Sequence, residues 1–205
     1  MNNKKVIDNT IKLGKPYSSS DILLMSIDIF KISKSNCFRK MLFIGITIFL
    51  GIRMSKSVDT INIFNDSILI VNDAIVALFA VIFTGYSLFQ ALIGKNMLLY
   101  MVREDSKTDP DMSYLQESNL YFAKVMMIQF ATIILNLFII LILKALPYDW
   151  CLVSSNKTNE IFSSVLIAIS FNFNFEVLWE TKSFIFNVFQ LFNMHAMSRV
   201  LDEDL

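Results

Sequence analysis

Two stretches limit what this chain can become: Ile68 to Gly94 and Val125 to Leu146, each apolar for more than twenty residues. A bilayer core is crossed by ~20 helical residues. Inside lipid only a helix satisfies its own backbone hydrogen bonds without a closed barrel. The second stretch, "VMMIQFATIILNLFIILILKAL", stops at Pro147, where a helix is expected to end. Two further stretches read as spans. Cys37 to Ile52 is short, and Lys40 and Arg53 at its ends can snorkel outward. The other begins at Ile161 and stays apolar to Phe175. The fold expected is an all-α membrane protein: four transmembrane helices with helices extended into the cytoplasm, preceded by an amphipathic helix.

Composition supports that reading. Of 205 residues, 55% are hydrophobic and 18% charged, below the ~25% charged of soluble domains. Eighteen basic residues balance eighteen acidic ones, so no excess charge draws the chain to nucleic acid, and direct nucleic-acid binding is not expected. The opening "MNNKKVIDNTIKLGKPYSSSDILLM" is polar, with no cleavable apolar core, so the N-terminus is read as mature. No lipidation signal is seen.

Placement of Lys and Arg sets orientation. Lys4, Lys5, Lys12, Lys15, Lys31, Lys34, Arg39 and Lys40 precede the first span. Lys95, Arg103, Lys107 and Lys124 lie between the second and third, while the other loops hold only Arg53, Lys56 and Lys157, with Lys144 near an outer end. Both termini are therefore expected in the cytoplasm of a bacterial inner membrane. Cys37 and Cys151 then lie on opposite sides and cannot pair. The Ile, Asn, Lys and Phe bias suits an AT-rich bacterial gene, which makes the sequons at Asn65 and Asn156 uninformative.

Three regions follow: residues 1–36 with an amphipathic helix, 37–178 as the bundle with an inner hairpin extension at 95–124, and 179–205 as a cytoplasmic helix and acidic tail. Ile22, Met25, Ile29 and Ile32 recur at helical spacing in "SSSDILLMSIDIFKISK", capped from Ser18 to Asp21. Span two is expected to continue helically to about Glu104. A new helix then starts near Pro110, with Asp109 as N-cap or Ser113 and Gln116 as a capping pair. Residues 161–200 contain neither Gly nor Pro, so one helix ~60 Å long is expected. A kink between Glu176 and Ser183 is the rival.

Polar residues interrupt the apolar helices in order. Asn172, Glu176, Glu180, Ser183, Asn187 and Gln190 are spaced as one helical stripe. Gln129, Thr132 and Asn136 form another on span three, and Thr84, Ser87 and Gln90 a third on span two. Polar groups in a membrane avoid lipid, so Gln129, Thr132, Asn136 and Asn172 are expected to pack against one another across helices. Either they fix the packing or they line a water-filled path. Beyond Glu176, Phe184, Phe186, Phe189 and Phe192 need cover, supplied by the chain itself or by a partner. His195 stands alone as the one histidine. No phosphate loop, nucleophile elbow or metal motif occurs, so no enzyme, metal or cofactor is expected.

The segments "TGYSLFQALIGKNMLLYMV", "YLQESNLYFAKVMMIQFATIILN" and "IFNVFQLFNMH", set in four spans with internal termini, resemble the membrane-subunit family of the Kiwa anti-phage system, KwaA. The resemblance implies an oligomeric inner-membrane sensor that recruits a soluble cytoplasmic, KwaB-like effector. Glu117, Glu176, Glu180, Lys182 and Asn187 would be its contacts. Four-span proteins of other defence systems share this plan and act by forming pores. An oligomeric pore that depolarises the membrane is therefore the alternative.

Overall fold

The computed structural model describes residues 2–14, 17–106, 109, 111–147, 150–151 and 155–203. It contains seven α-helices among those residues: α1 (Asn2–Leu13), α2 (Ser19–Ser26), α3 (Cys37–Ser55), α4 (Thr60–Leu92), α5 (Lys95–Arg103), α6 (Tyr114–Ala145) and α7 (Asn156–Glu203). The nearest approach to a strand among them is one isolated bridge, Asp105 with Ser113. Three helices, α4, α6 and α7, are long and apolar enough to cross a membrane. The α3 helix has 19 residues and carries Arg39, Lys40 and Arg53; it is not among those three.

The chain divides into two compact units. One comprises 1–27, 79–128 and 181–205, the other 28–78 and 129–180. In the first, a core of Ile82, Phe89, Met101, Val125, Phe184 and Leu191 surrounds Phe122. The Phe122 ring meets Tyr86, Phe89 and Phe184 edge to face at 5.2–5.9 Å. Such pairs add directionality to apolar burial. In the second unit Phe64, Ile68, Ile140, Ile167 and Phe171 form the core.

Several local expectations change. The helix expected to be amphipathic is short: α2 stops at Ser26 and a 3-10 turn, Ile27–Phe30, follows, leaving Ile32 exposed outside any helix. Its start is as read: Ser18 and Asp21 form a reciprocal capping box. A helix at residues 2–13 went unpredicted. Among its described side chains Val6, Leu13 and the buried Asn9 meet the core, too sparse an apolar pattern to detect. The arm beyond span two is not one helix. It ends at Leu92, and Gly94, with extended backbone (φ −78°, ψ 163°), begins α5. The predicted start at Pro110 lies outside the described residues. Asp109 does not cap a helix. It closes a turn, accepting from the Asp111 backbone N–H at 2.9 Å. Ser113 does start α6, accepting from the Gln116 backbone N–H at 3.2 Å, but the Gln116 amide donates to Tyr17 instead of returning to Ser113. The last helix starts at Asn156, five residues before Ile161, and runs unbroken through Glu176 to Ser183.

Candidate interaction sites

Gln129, Thr132 and Asn136 are fully buried, as their spacing required. The partner on α7 is Asn174, not Asn172. Asn136 Nδ2 donates to Asn174 Oδ1 at 2.7 Å, and Asn174 Nδ2 returns to Asn136 Oδ1 at 3.2 Å. Asn172 and Asn174 are two residues apart, roughly 200° around a helix, so they face nearly opposite ways. The buried face of α7 runs through Phe171, Asn174, Val177, Thr181, Phe184 and Leu191. The stripe read from the sequence lies to its other side: Asn172, Glu180, Ser183 and Asn187 are half-buried and Gln190 is exposed. Replacing Asn136 by Leu leaves Asn174 Oδ1 without its donor, while Asn174 Nδ2 keeps the Ser170 carbonyl, and is expected to cost about 1–2 kcal/mol. Replacing both by Leu restores most of that, and a double-mutant cycle on thermal unfolding in detergent measures it. A loss in the double variant equal to the sum of the two single losses would show that the pair contributes nothing.

Glu176 is 4% exposed in its side chain and lies 2.7 Å from the Arg39 guanidinium. Lys40 Nζ is 3.6 Å from the same Oε2 and 3.0 Å from the Ile29 carbonyl oxygen, to which it donates. The Arg39 guanidinium also sits over the rings of Phe43 and Trp179, each 5.3 Å from its centroid. The sequence assigned Glu176 to a partner-binding surface. Its burial in this pair takes it off that surface. Lys40 was read as a snorkelling end and Arg39 only as a topology marker; both instead neutralise a carboxylate more than a hundred positions away in sequence, a separation no local pattern exposes.

The second site is a groove of about 750 Å³ in the first unit. Residues of α6 from Tyr114 to Lys124 form one wall and Phe186 to Met194 of α7 the other, with Asp109 and Met112 at one end. Its floor is apolar, from Leu120, Phe122 and Leu191. Glu117, Ser118 and Lys124 supply one rim and Asn187 and Gln190 the other. Glu117 and Lys124 are two helical turns apart, ~10 Å, so the rim carries opposite charges at its two ends. The backbone on both sides of that end is tied together. Ser106 donates its backbone N–H to Met112 O, and Tyr114 donates its own to Glu104 O, both at 2.9 Å. Lys12 of α1 donates to Asp111 O at 2.9 Å and Asn9 to Val102 O at 2.8 Å.

Of the five predicted partner contacts, the groove gathers Glu117 and Asn187. Lys182 is exposed outside it, and Glu180 is half-buried in the other unit. Lys124 was noticed only as a topology marker, and Gln190 only as part of the stripe. Among the described residues no cluster of His, Cys, Asp or Glu could hold a metal. Comparison with protein-family models, with curated proteins and with solved structures finds no match.

Proposed function

We propose that the chain is a four-span membrane scaffold whose cytoplasmic side docks a soluble effector protein, in the manner of an anti-phage sensor. The groove between Tyr114–Lys124 and Phe186–Met194 carries this reading. It joins an apolar floor to rims of both charge signs, and exposed Phe186 and Phe189 lie on the same α7 segment. Protein interfaces combine such aromatic anchors with a polar rim. The α3 helix serves as the fourth span. Phe38, Met41, Leu42, Ile46, Phe49 and Ile52 are all exposed on it, an apolar surface suited to lipid and unsuited to water. Arg53, exposed at its outer end, suits an interface. An even number of spans puts both termini on the Lys-rich, cytoplasmic side.

Topology has a direct check. A membrane-impermeant maleimide is expected to label Cys151 on intact spheroplasts and Cys37 only after permeabilisation. The two cysteines form no disulfide. Labelling of both from outside sinks the four-span arrangement.

Docking is tested by purification in mild detergent from the native host. Stoichiometric co-purification of one soluble protein is expected. Filling the groove with Asn187→Trp, or reversing its rim with Glu117→Lys and Lys124→Glu together, is expected to lower recovery of that protein at least ~10-fold, about the effect of losing an interface hot spot. Yield of the membrane protein itself should hold. A homo-oligomer without partner that conducts ions in liposomes would favour the pore instead. That reading has less support, because Asn136, which it needs facing water, is engaged by Asn174.

A further inference from the structure

The second unit carries a second groove, of about 530 Å³, along its α3 and α7 faces. It runs past Ile44, Ile48 and Ile52 on α3 and Val165, Ala168 and Ile169 on α7, and ends at Phe30, Asn172 and Phe173. From Ile44 to Ile52 it follows α3 for ~12 Å. Its walls are almost wholly apolar. The Thr47 hydroxyl donates to the Ile44 carbonyl and offers the groove no donor. Two polar residues besides Thr47 line it, Ser164 along its length and Asn172 at its end. Asn172 Oδ1 is buried without a hydrogen-bond partner, which costs free energy that a donor from a ligand would recover.

The groove ends beside surplus positive charge. Phe30 stacks on Phe173 at 4.9 Å, and Lys31 and Lys34 follow Phe30 in sequence. Lys40 reaches back to the carbonyl of Ile29. In this corner Lys31 pairs with Asp28, Arg39 and Lys40 share the one carboxylate of Glu176, and Lys34 is exposed. An apolar slot along a span, a lone acceptor at its end and excess cations just beyond match the three parts of one molecule.

We propose that this groove is a binding site for an anionic phospholipid, of which phosphatidylglycerol is the probe. One acyl chain lies between α3 and α7, and the phosphate is held by Lys34 and by the Arg39–Lys40 pair, whose two charges share the Glu176 carboxylate. A headgroup hydroxyl donates to Asn172. A side-chain amide at a groove wall presents its oxygen by a turn about its last torsion. Basic pockets beside membrane helices hold anionic headgroups, with each cation contributing about a five-fold gain. The proposal rests on α3 lying in the bilayer and is independent of effector docking. The cysteine labelling above reports on α3 separately.

The full chain is reconstituted in nanodiscs of phosphatidylcholine and phosphatidylglycerol, released into detergent, and the lipid it retains is measured by native mass spectrometry. Phosphatidylglycerol is expected to be retained over phosphatidylcholine by at least about five-fold. Ile48→Trp, which fills the exposed groove wall, and Lys34→Glu, at an exposed site, are each expected to abolish the preference. Leu141→Trp, on an exposed part of α6 outside the groove, should leave it intact. Asn172→Leu should weaken it, and Asn172→Gln should retain it. Equal retention of both lipids by the natural chain overturns the site. So does a preference that survives Ile48→Trp, or a lipid-free dimer in which a second copy fills the groove.

Discussion

Glu176→Gln is expected to lower stability by about 3 kcal/mol or more, because it leaves the buried Lys40 and the largely buried Arg39 without their counter-charge. Removing one member of a buried pair costs far more than the pair itself contributes, since the survivor keeps its desolvation penalty. Converting the cluster to apolar residues, as Arg39→Met, Lys40→Met and Glu176→Leu together, is expected to recover most of the loss. For a chain this long the single change should move the midpoint of thermal unfolding by roughly 6–12 °C. Intrinsic fluorescence of Trp179, which lies beside the Arg39 guanidinium, reports the same transition in detergent. A Glu176→Gln protein that melts within about 1 °C of the natural one would show that water reaches the pair and that its burial is illusory. The expected size of the effect also explains why Glu176 is a poor choice for a docking mutant: loss of a partner in that variant would report loss of the fold.

The second large effect is expected at Gly51. A Cβ there would overlap the Ser164 carbonyl oxygen and stand 3.3 Å from the Ala168 Cβ. The nearest atom is backbone, so it cannot swing aside, and α3 must move off α7. Small residues that let two helix backbones touch are a common device in membrane bundles. Gly51→Ala is expected to destabilise by about 1–3 kcal/mol, as overpacking does, and Gly51→Leu to prevent assembly of the second unit. Gly45 in the same helix is the internal control, since a Cβ there meets nothing within 4 Å. Gly45→Ala should be neutral or stabilise by up to ~1 kcal/mol through helix propensity alone. If the two alanine variants melt alike, the close crossing of α3 and α7 is wrong.

These outcomes separate what was legible in the chain from what was not. The long apolar runs specify helices because lipid or core leaves a backbone no other partner, and α4, α6 and α7 appear where those runs lie. The Ser18 capping box and the Ser113 helix start were also readable, because a cap needs only residues within three positions. Burial of Gln129, Thr132 and Asn136 followed from spacing on a single helix. Everything that depended on which helix meets which stayed hidden. Asn172 and Asn174 are equally polar and equally flanked by Phe, and only the position of α6 selects Asn174. Glu176 looked like an exposed acid on a stripe until α3 brought Arg39 and Lys40 to it. Gly51 gave no sign of its role, since close approach is a property of two backbones and one sequence position holds only one of them. The sequence alone determined that the chain is helical, which runs are apolar enough for a membrane, and where several helices start. The tertiary structure decided the partners, because a helix repeats every 3.6 residues and offers several faces, while pairing depends on contacts between residues far apart in the chain.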